Sequence, residues 1–222
     1  MSLTIEVAGH ALALLPERAA LLVEEGRLLV ADAHFGKAQA FRSLGVPVPA
    51  GTTVQNLHTL TMLINRTGAR SITFLGDLLH ARHGRGDATL AAVADWRQTH
   101  RDVRMTLVRG NHDSHAGDPP PDWQIEVVDE PLSTTGDGVL ALCHHPAPLP
   151  GRYVIAGHIH PAALVGRRIG SLRLPCFHFS AAVGVLPAFG AFTGSHTVRP
   201  GPEDRVFVVV EDEIRCLPGR PA

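Results

Sequence analysis

The stretch RLLVADAH at residues 27–34 places an apolar run directly before two polar side chains, Asp32 and His34. The same arrangement recurs along the chain, because further apolar runs end at four other polar clusters. These clusters are Gly76-Asp77, Gly110-Asn111-His112-Asp113, His144-His145 and Gly157-His158-Ile159-His160. Short runs rich in leucine and β-branched residues are typical of buried strands. Each cluster is therefore predicted to follow a strand, and the strand ends are expected to gather the clusters at one site.

Hydrophobic periodicity extends this prediction to the whole chain. A 3.6-residue repeat of apolar positions predicts helices over 37–44, 52–66 and 87–99, and Gly68 is expected to end the second of them. The predicted strands cover 3–7, 19–23, 27–31, 71–75, 104–108, 124–128, 139–143, 153–156, 162–165, 176–179, 206–210 and 213–216. The early strands alternate with helices, which favours βαβ units, and the later strands follow one another, which favours antiparallel pairing. Two mixed sheets packed together, with helices outside, would satisfy both halves of the chain.

Composition limits the classes of protein to consider. With 222 residues and 45% hydrophobic content, one sizeable core and a single domain over 1–222 are expected. The net charge of -1 gives no overall cationic field for nucleic acid, so any such contact must be local. Cys143, Cys176 and Cys216 lack CxxC spacing, which argues against a disulfide framework or cysteine zinc site and favours the cytoplasm. The sequence shows neither a signal-peptide pattern nor an apolar stretch suited to a membrane span.

The polar clusters carry carboxylate, amide and imidazole groups, which are ligand types for divalent cations. In extended backbone, residues two apart point the same way, so Asp32 with His34 and His158 with His160 could converge. Asp77 stands alone in its cluster, as a carboxylate shared between two cations would. Two cations about 3.5–4 Å apart can clamp the attacking and leaving oxygens of a phosphoryl displacement, with a metal-bound hydroxide as nucleophile. The clusters together predict a dinuclear site that hydrolyses phosphate esters.

Three of the five clusters also have a purely structural explanation when taken alone. Asp-x-His pairs occur at turns and helix caps, Gly-Asp is a common turn, and His144-His145 beside Pro146 could be ordinary loop histidines. The combination, in a fixed order and with each cluster after a predicted strand, favours the metal site over these alternatives.

The motifs also resemble a known family. The order DxH, GD, GNH(D/E), H and GHxH is that of the calcineurin-like metallophosphoesterases. A closer similarity is to the ligase-associated DNA damage response endonuclease/phosphodiesterase group PdeM. It lies in DAHFGK at 32–37, FRSLGVPVP at 41–49, FLGDLLH at 74–80, GHIHP at 157–161 and LPAFGAFTG at 186–194. The family's usual GDxxD motif ends here in His80, which is expected to contact a metal ligand or to face the substrate.

The resemblance implies a four-layer αββα sandwich of two mixed sheets and two divalent metal ions, manganese first, with iron or zinc as alternatives. It implies a phosphodiesterase or endonuclease acting on DNA in a bacterial DNA damage response, with a DNA ligase and a helicase as candidate partners. By position, one ion would be held by Asp32, His34, Asp77 and His160. The other would be held by Asp77, Asn111, His158 and His144, with His145 as the alternative to His144.

Further roles follow from the same resemblance. His112 matches the family's catalytic histidine, which is not a ligand and would stabilise developing charge or protonate the leaving oxygen. Asp113 is expected either to orient His112 or to cap its loop. The candidates for binding substrate phosphate are Lys37, Arg42, His80, Arg82, His83, Arg109 and His145. The segment RHGRG at 82–86 forms a local basic loop, although a solvated turn would explain it equally well.

Two other functions compete with a nuclease. One is a phosphatase or phosphodiesterase for a small nucleotide or metabolite, and the other is a non-catalytic scaffold on the same fold. A catalytic-type His112 beside a complete ligand set argues against the scaffold. A deep closed pocket would favour a metabolite, whereas an open basic groove would favour a nucleic-acid strand.

Overall fold

A first sheet of seven strands forms one half of the molecule. The computed structural model describes residues 1–80, 84–134, 136–166 and 171–218. The strands of this sheet, adjacent in chain order, are β1 (Leu3–Val7), β2 (His10–Leu15), β3 (Ala19–Leu22), β4 (Arg27–Val30), β5 (Ser71–Leu75), β6 (Arg104–Val108) and β7 (Ile125–Val128). Strands β1 to β4 pair antiparallel, and β4 to β7 pair parallel. The carboxyl ends of β4, β5 and β6 therefore meet at one edge.

A second sheet of nine strands forms the other half. Its strands are β8 (Leu132–Ser133), β9 (Leu140–Leu142), β10 (Tyr153–Ala156), β11 (Pro161–Gly166), β12 (Ser171–Phe179), β13 (Val183–Val185), β14 (His196–Thr197), β15 (Arg205–Val210) and β16 (Glu213–Leu217). The order is β14-β11-β12-β13-β10-β9-β8, and β15 pairs with both β12 and β16. Strands β9, β10 and β13 run parallel, so two more carboxyl ends, those of β9 and β10, lie side by side.

The described part of the chain contains four α-helices, and those after the first contribute to the buried cluster on the outer face of the first sheet. The four helices are α1 (Lys37–Ser43), α2 (Thr52–Thr67), α3 (Asp87–Thr99) and α4 (Asn111–Ala116), followed by a 3₁₀ turn at Pro121–Trp123. Leu60 and Leu63 of α2 belong to the same buried cluster as Leu28 and Val30 of β4. Gly68, with φ of 65°, ends α2, as predicted from the sequence. None of the described helices combines the length and apolar character that crossing a membrane requires.

The main core between the sheets follows from the alternation of side chains along each strand. Whereas Leu28 and Val30 face the helices, Leu29 and Ala31 join Leu140 and Phe177 of the second sheet in an inter-sheet cluster. The prediction of two mixed sheets with flanking helices is thus confirmed. On the outer face of the second sheet, in the described part of the chain, the loop residues Leu149, Ile159 and Ala182 pack against buried side chains of the strands. Loops rather than helices therefore cover this face.

Some sequence predictions of local structure were wrong. The apolar run HALALL of β2 was missed, because it lacks the β-branched residues that mark a strand. The expected βαβ pattern begins only at β4, since the strands before it form an antiparallel meander. The Asn111 cluster was expected in a loop but begins α4. Strand β12 starts at Ser171 rather than at 176, because its first half pairs with β11.

Removal of one ring from the inter-sheet core tests this architecture. Phe177 on β12 is fully buried, whereas Leu172 on the same strand is 70% exposed. We predict that Phe177→Ala lowers the free energy of unfolding by about 3–5 kcal/mol, because it leaves a cavity between the sheets. Leu172→Ala is the matched control and should change it by less than about 0.5 kcal/mol. Chemical denaturation of both variants measures this, and equal effects would contradict the packing described.

Candidate metal centre

The first group of candidate ligands comes from the ends of β4, β5 and β10. The Nε2 atom of His160 lies 3.4 Å from Oδ1 of Asp32 and 3.4 Å from Nε2 of His34. The Nε2 atom of His34 also lies 3.8 Å from Oδ2 of Asp77. The donor atoms of Asp32, His34 and His160 all fall within 4.8 Å of one another. One cation could contact all of them together.

The second group surrounds the buried ring of His144, which follows β9. Its Nε2 atom lies 2.9 Å from Oδ1 of Asn111, 3.0 Å from Nδ1 of His158 and 3.6 Å from Oδ1 of Asp77. Asp32, Asp77 and His144 also offer donor atoms within 4.8 Å of one another. The two groups of ligands are therefore neighbours, and Asp77 lies between them with Oδ2 toward His34 and Oδ1 toward His144.

The hydrogen bonding and protonation of these side chains suit ligands of divalent cations. Oδ1 of Asp32 is buried and has no hydrogen-bond partner among the described residues, which a carboxylate oxygen rarely tolerates. Burial and the charge of Asp32 raise the pKa of Asp77. Burial lowers the pKa values of His34, His144 and His158, which favours neutral imidazoles with a free lone pair. Cations would satisfy the oxygens and use those lone pairs.

Backbone carbonyls fix which ring nitrogen faces the centre. Nδ1 of His144 lies 3.0 Å from the carbonyl oxygen of Leu75, and Nδ1 of His160 lies 3.1 Å from that of Gly194. Since a carbonyl only accepts, each Nδ1 carries the proton and donates. Nε2 of both rings is left with its lone pair toward the centre, as in metal-bound histidines with an oriented ring.

Five of the candidate ligands have left-handed backbone. The φ angles are 53° at Asp32, 47° at His34, 52° at Asp77, 72° at His158 and 53° at His160. Such a conformation at a non-glycine residue costs about 1–3 kcal/mol and is typical of functional sites. The side chains do converge as predicted, but the reason given from the sequence was wrong, because extended backbone does not bring them together. Sharp turns directly after each strand do.

Two glycines allow the close approach of these turns. Gly76 has a φ of 78°, and a Cβ atom there would lie 2.1 Å from Nδ1 of His144. A Cβ atom on Gly157 would lie 2.6 Å from Oδ2 of Asp32. Because such distances are far below van der Waals contact, only glycine fits at either position.

Asp113 caps the loop, which is one of its two predicted roles. Its Oδ2 accepts the backbone N–H groups of Asp77 at 2.7 Å and Gly110 at 2.9 Å, and its Oδ1 accepts those of Leu78 at 3.0 Å and Leu79 at 3.3 Å. Nδ1 of His112 is instead 2.8 Å from the carbonyl oxygen of His80. A carbonyl oxygen rather than Asp113 is thus the hydrogen-bond partner of this ring nitrogen.

His112 and His80 lie side by side at the rim of the centre. The side chain of His112 is 40% exposed, and its Nε2 is 4.0 Å from Oδ2 of Asp77. The His80 ring stacks on His112 with centroids 5.1 Å apart, and its Nδ1 is 3.4 Å from Nδ1 of His34. Burial and the charge of Lys37 lower the pKa of His80 to about 4. His80 therefore contacts a candidate ligand, as one of its two predicted roles requires.

The predicted phosphate-binding residues Lys37 and Arg42 differ in what their side chains contact. Lys37 is half-buried, and burial lowers its pKa although the charges of Asp77 and Asp32 oppose this. Arg42 donates to the carbonyl oxygen of Pro49 at 2.8 Å. The charges of Asp77 and Asp32 act on the ammonium of Lys37, so this side chain lies close to the candidate ligands.

Other basic candidates are engaged elsewhere. Arg109 pairs with Asp118 and Asp129, so its guanidinium is already neutralised by two exposed carboxylates. Arg85 of the predicted basic loop donates to backbone carbonyls after α4, including that of Asp118 at 2.8 Å. Arg82 and His83 lie outside the described residues. These contacts give Arg109 and Arg85 a structural role in joining loops.

Sequence reasoning missed two residues that shape the centre. Glu130 accepts the backbone N–H of His144 at 2.7 Å, and its other oxygen lies 2.7 Å from Nδ1 of His145. His145 thus faces Glu130 at the surface, and the buried His144 is the one whose ring reaches Asp77. Asn56, a buried amide on α2, donates to the carbonyl oxygen of Ala33 at 3.3 Å. A polar residue on the apolar face of α2 was the available signal for Asn56, and none marks Glu130.

Loss of the Asp113 cap should destabilise the centre as a whole. We predict that Asp113→Ala lowers the free energy of unfolding by about 2–4 kcal/mol, because four buried N–H groups lose a charged acceptor. Asp129→Ala, at a side chain that is 90% exposed, is the control and should have little effect. Thermal and urea unfolding of both variants provide the measurement, and an unchanged midpoint for Asp113→Ala would refute this role.

The chain shares its fold and much of its sequence with a protein of known structure. No protein-family model and no curated protein matches it. The structure of a Pseudomonas putida nuclease, MPE, superposes with a TM-score of 0.86 at 40% sequence identity, over 98% of this chain and 100% of the other. Similarity is much lower to an Aquifex aeolicus protein of unknown function, AQ665 (20% identity, 65% of this chain, 81% of the other, TM-score 0.42). It is also lower to the Escherichia coli phosphoesterase Yfce (14% identity, 84% of this chain, 88% of the other, TM-score 0.41). On the identity and coverage shared with the Pseudomonas enzyme, the chain belongs to the metallophosphoesterase nucleases, a family of phosphoric ester hydrolases.

Proposed function

We propose that this protein is a dinuclear metal-dependent phosphodiesterase that cleaves the backbone of DNA. Asp77 supports the proposal most directly, because its two oxygens point to two separate groups of donors. One cation would be held by Asp32, His34, Asp77 and His160. The other would be held by Asp77, Asn111, His144 and His158. Mixed oxygen and imidazole donors suit manganese, iron or zinc, of which we propose manganese.

The charge of such a centre suits a phosphate diester. Bound divalent cations supply Lewis-acid chemistry, polarising phosphoryl oxygens and making water a stronger nucleophile. The carboxylates of Asp32 and Asp77 offset only part of the charge of two cations, and the imidazoles are neutral. The remaining positive charge would attract the phosphate, and the half-buried ammonium of Lys37 adds to it.

His112 is placed to assist the leaving group. Its Nδ1 donates to the carbonyl oxygen of His80, so its Nε2 faces the centre from the exposed rim. The backbone N–H of His112 also donates to Oδ1 of Asp77 at 2.9 Å, which fixes the residue relative to the candidate bridge. From this position, we propose, the imidazole stabilises negative charge or protonates the leaving oxygen.

Two observations favour a nucleic-acid strand over a metabolite. The related Pseudomonas protein is named a nuclease. A cavity of about 1310 Å³, lined by residues that include Arg173 and Arg199, reaches Ser195 and lies between β11, β12 and segment 195–201. Ser195 of its lining follows Gly194, whose carbonyl oxygen lies 3.1 Å from Nδ1 of His160. The cavity is larger than the roughly 300–1,000 Å³ of typical small-molecule pockets. A cytoplasmic role in bacterial DNA damage response, beside a ligase and a helicase, completes the proposal.

Substrate comparison tests the proposed activity. The wild type should cleave single-stranded or duplex DNA in manganese-supplemented buffer, assayed beside RNA and a generic bis-aryl phosphate. Chelation with EDTA should abolish turnover, and added manganese should restore it. Hydrolysis of the aryl ester without cleavage of any nucleic acid would instead support the metabolite enzyme, and no hydrolysis of any of these would support a scaffold.

Replacement of His112 separates catalysis from metal binding. We predict that His112→Ala lowers kcat on DNA by about 10²–10⁴-fold, because the substitution removes an acid–base group. The variant should keep the metal content of the wild type, because all the candidate metal ligands are retained. Metal analysis and single-turnover cleavage are the measurements. His58→Ala, at an exposed position on α2, is the control. Loss of an ion from His112→Ala would contradict the assigned role.

Replacement of Asp77 tests the shared carboxylate. We predict that Asp77→Asn weakens the binding of both ions by at least about tenfold and removes most activity, because one side chain serves both groups of donors. Equilibrium dialysis with manganese measures both sites, with Asp129→Asn as the exposed control. If only one ion were lost, the second unaffected, Asp77 would not be shared.

A further inference from the structure

Four aromatic rings form a continuous row that starts at the rim of the candidate metal centre. This row consists of His112, His80, Phe41 and Phe192. The centroids are 5.1 Å apart between His112 and His80, 6.0 Å between His80 and Phe41, and 5.6 Å between Phe41 and Phe192. The metal centre and the proposed reaction use only the first two rings, so the two phenylalanines have no role yet.

Both phenylalanines are only half-buried, although neither ring carries a polar atom that would need water. Fully buried rings elsewhere, such as Phe74 and Phe177, pack into the two large core clusters. Phe41 and Phe192 belong to neither of these clusters. Their rings meet edge to face at an interplanar angle of 85°. Part of their apolar surface therefore remains accessible beside the site.

The end of the row that carries Phe192 is held firmly. The backbone N–H of Ala191 donates to Oδ1 of the buried Asn56 at 3.1 Å. The N–H of Gly190 donates to the carbonyl oxygen of Asp32 at 3.2 Å, and that of Phe189 to the carbonyl oxygen of Ala31 at 2.8 Å. The segment before Phe192 is thus bonded to a candidate ligand, which keeps the ring at a fixed place relative to the centre.

A cation lies on the same helix as Phe41. Lys37 is four residues earlier on α1, and residues spaced by four share one face of a helix. The charges of Asp32 and Asp77 act on its ammonium, which is therefore near the place where a substrate phosphate would bind. A cation and an aromatic surface one helical turn apart match a nucleotide, in which an anionic phosphate and a flat base are linked.

We propose that Phe41 and Phe192 form a stacking platform for an unpaired nucleobase of the strand being cut, with Lys37 on a neighbouring phosphate. The inference rests on the proposed function, since it assigns a base-binding subsite to that same nuclease centre. Stacking on an aromatic ring requires an accessible face of the base, which a base inside a duplex lacks. It tolerates every base, so the platform would position the strand without selecting a sequence.

Removal of the rings and removal of the bases should act on the same interaction. The substrates are oligothymidylate and a strand of equal length made of abasic tetrahydrofuran nucleotides, both with manganese. On oligothymidylate we expect Phe41→Leu and Phe192→Leu each to lower kcat/KM by about 5- to 150-fold, the range that loss of base stacking gives. The wild type should cut the abasic strand more slowly than oligothymidylate. On the abasic strand the two leucine variants should cut as fast as the wild type.

Two controls separate stacking from structure. Phe192→Tyr keeps the ring and should retain cleavage of oligothymidylate. If the role of Phe192 were merely structural, the apolar side chain of Phe192→Leu would serve as well, and cleavage would not depend on a ring. Met62→Ala, at an exposed apolar position on α2, should leave both rates unchanged. Equal losses on both strands in Phe41→Leu or Phe192→Leu, or no loss on either, would overturn the platform.

The two proposals fail in different ways in this experiment. If the wild type cuts oligothymidylate and the leucine variants cut it equally well, the platform is wrong and the nuclease function stands. If the wild type hydrolyses a bis-aryl phosphate but no strand, the proposed function fails and the platform fails with it.

Discussion

The buried carboxylate of Asp113 is the contact on which the candidate metal centre depends. It accepts backbone N–H groups from the turn after β5 and from the start of α4, and so ties two strand ends together. Asp77 and Asn111 lie on these two segments, and their oxygens therefore keep a fixed separation around His144. Burial raises the pKa of Asp113 to about 6, which the N–H groups oppose. A side chain outside the two groups of candidate ligands thus determines where the cations would lie.

Left-handed backbone at five candidate ligands is unfavourable by itself, at about 1–3 kcal/mol each. The two cores beneath the centre can support it, because burial of apolar surface contributes roughly 25 cal/mol per Å². Since each turn begins directly after a buried strand, the strained residues cannot relax without shifting that strand. Rigid placement of this kind keeps donors in position before any ion or substrate binds. The same rigidity holds the aromatic row through Asn56 and the segment before Phe192.

Much of the fold could be predicted from the sequence where the signal is local. Helices α1, α2 and α3 and most strands follow from periodicity, and the turn glycines from their motifs. Strand β2 escaped because its leucines and alanines do not distinguish strand from helix. The partners of Arg109 and Arg85, such as Asp118, could not be foreseen because only folding brings them near. Glu130 escaped for the same reason, since its contacts with His144 and His145 span a loop.

The sequence by itself determined which side chains can bind cations and that each follows a strand, because residue type and hydrophobic spacing are local properties. It did not determine that Asp77 lies between two groups of donors, that the ring of His144 reaches Asp77, or that Phe41 and Phe192 are neighbours. These depend on the pairing of strands far apart in the chain, where β4 to β6 of one sheet meet β9 and β10 of the other. Only the tertiary structure brings those ends within a few ångströms, since distance in space is not encoded by distance along the sequence.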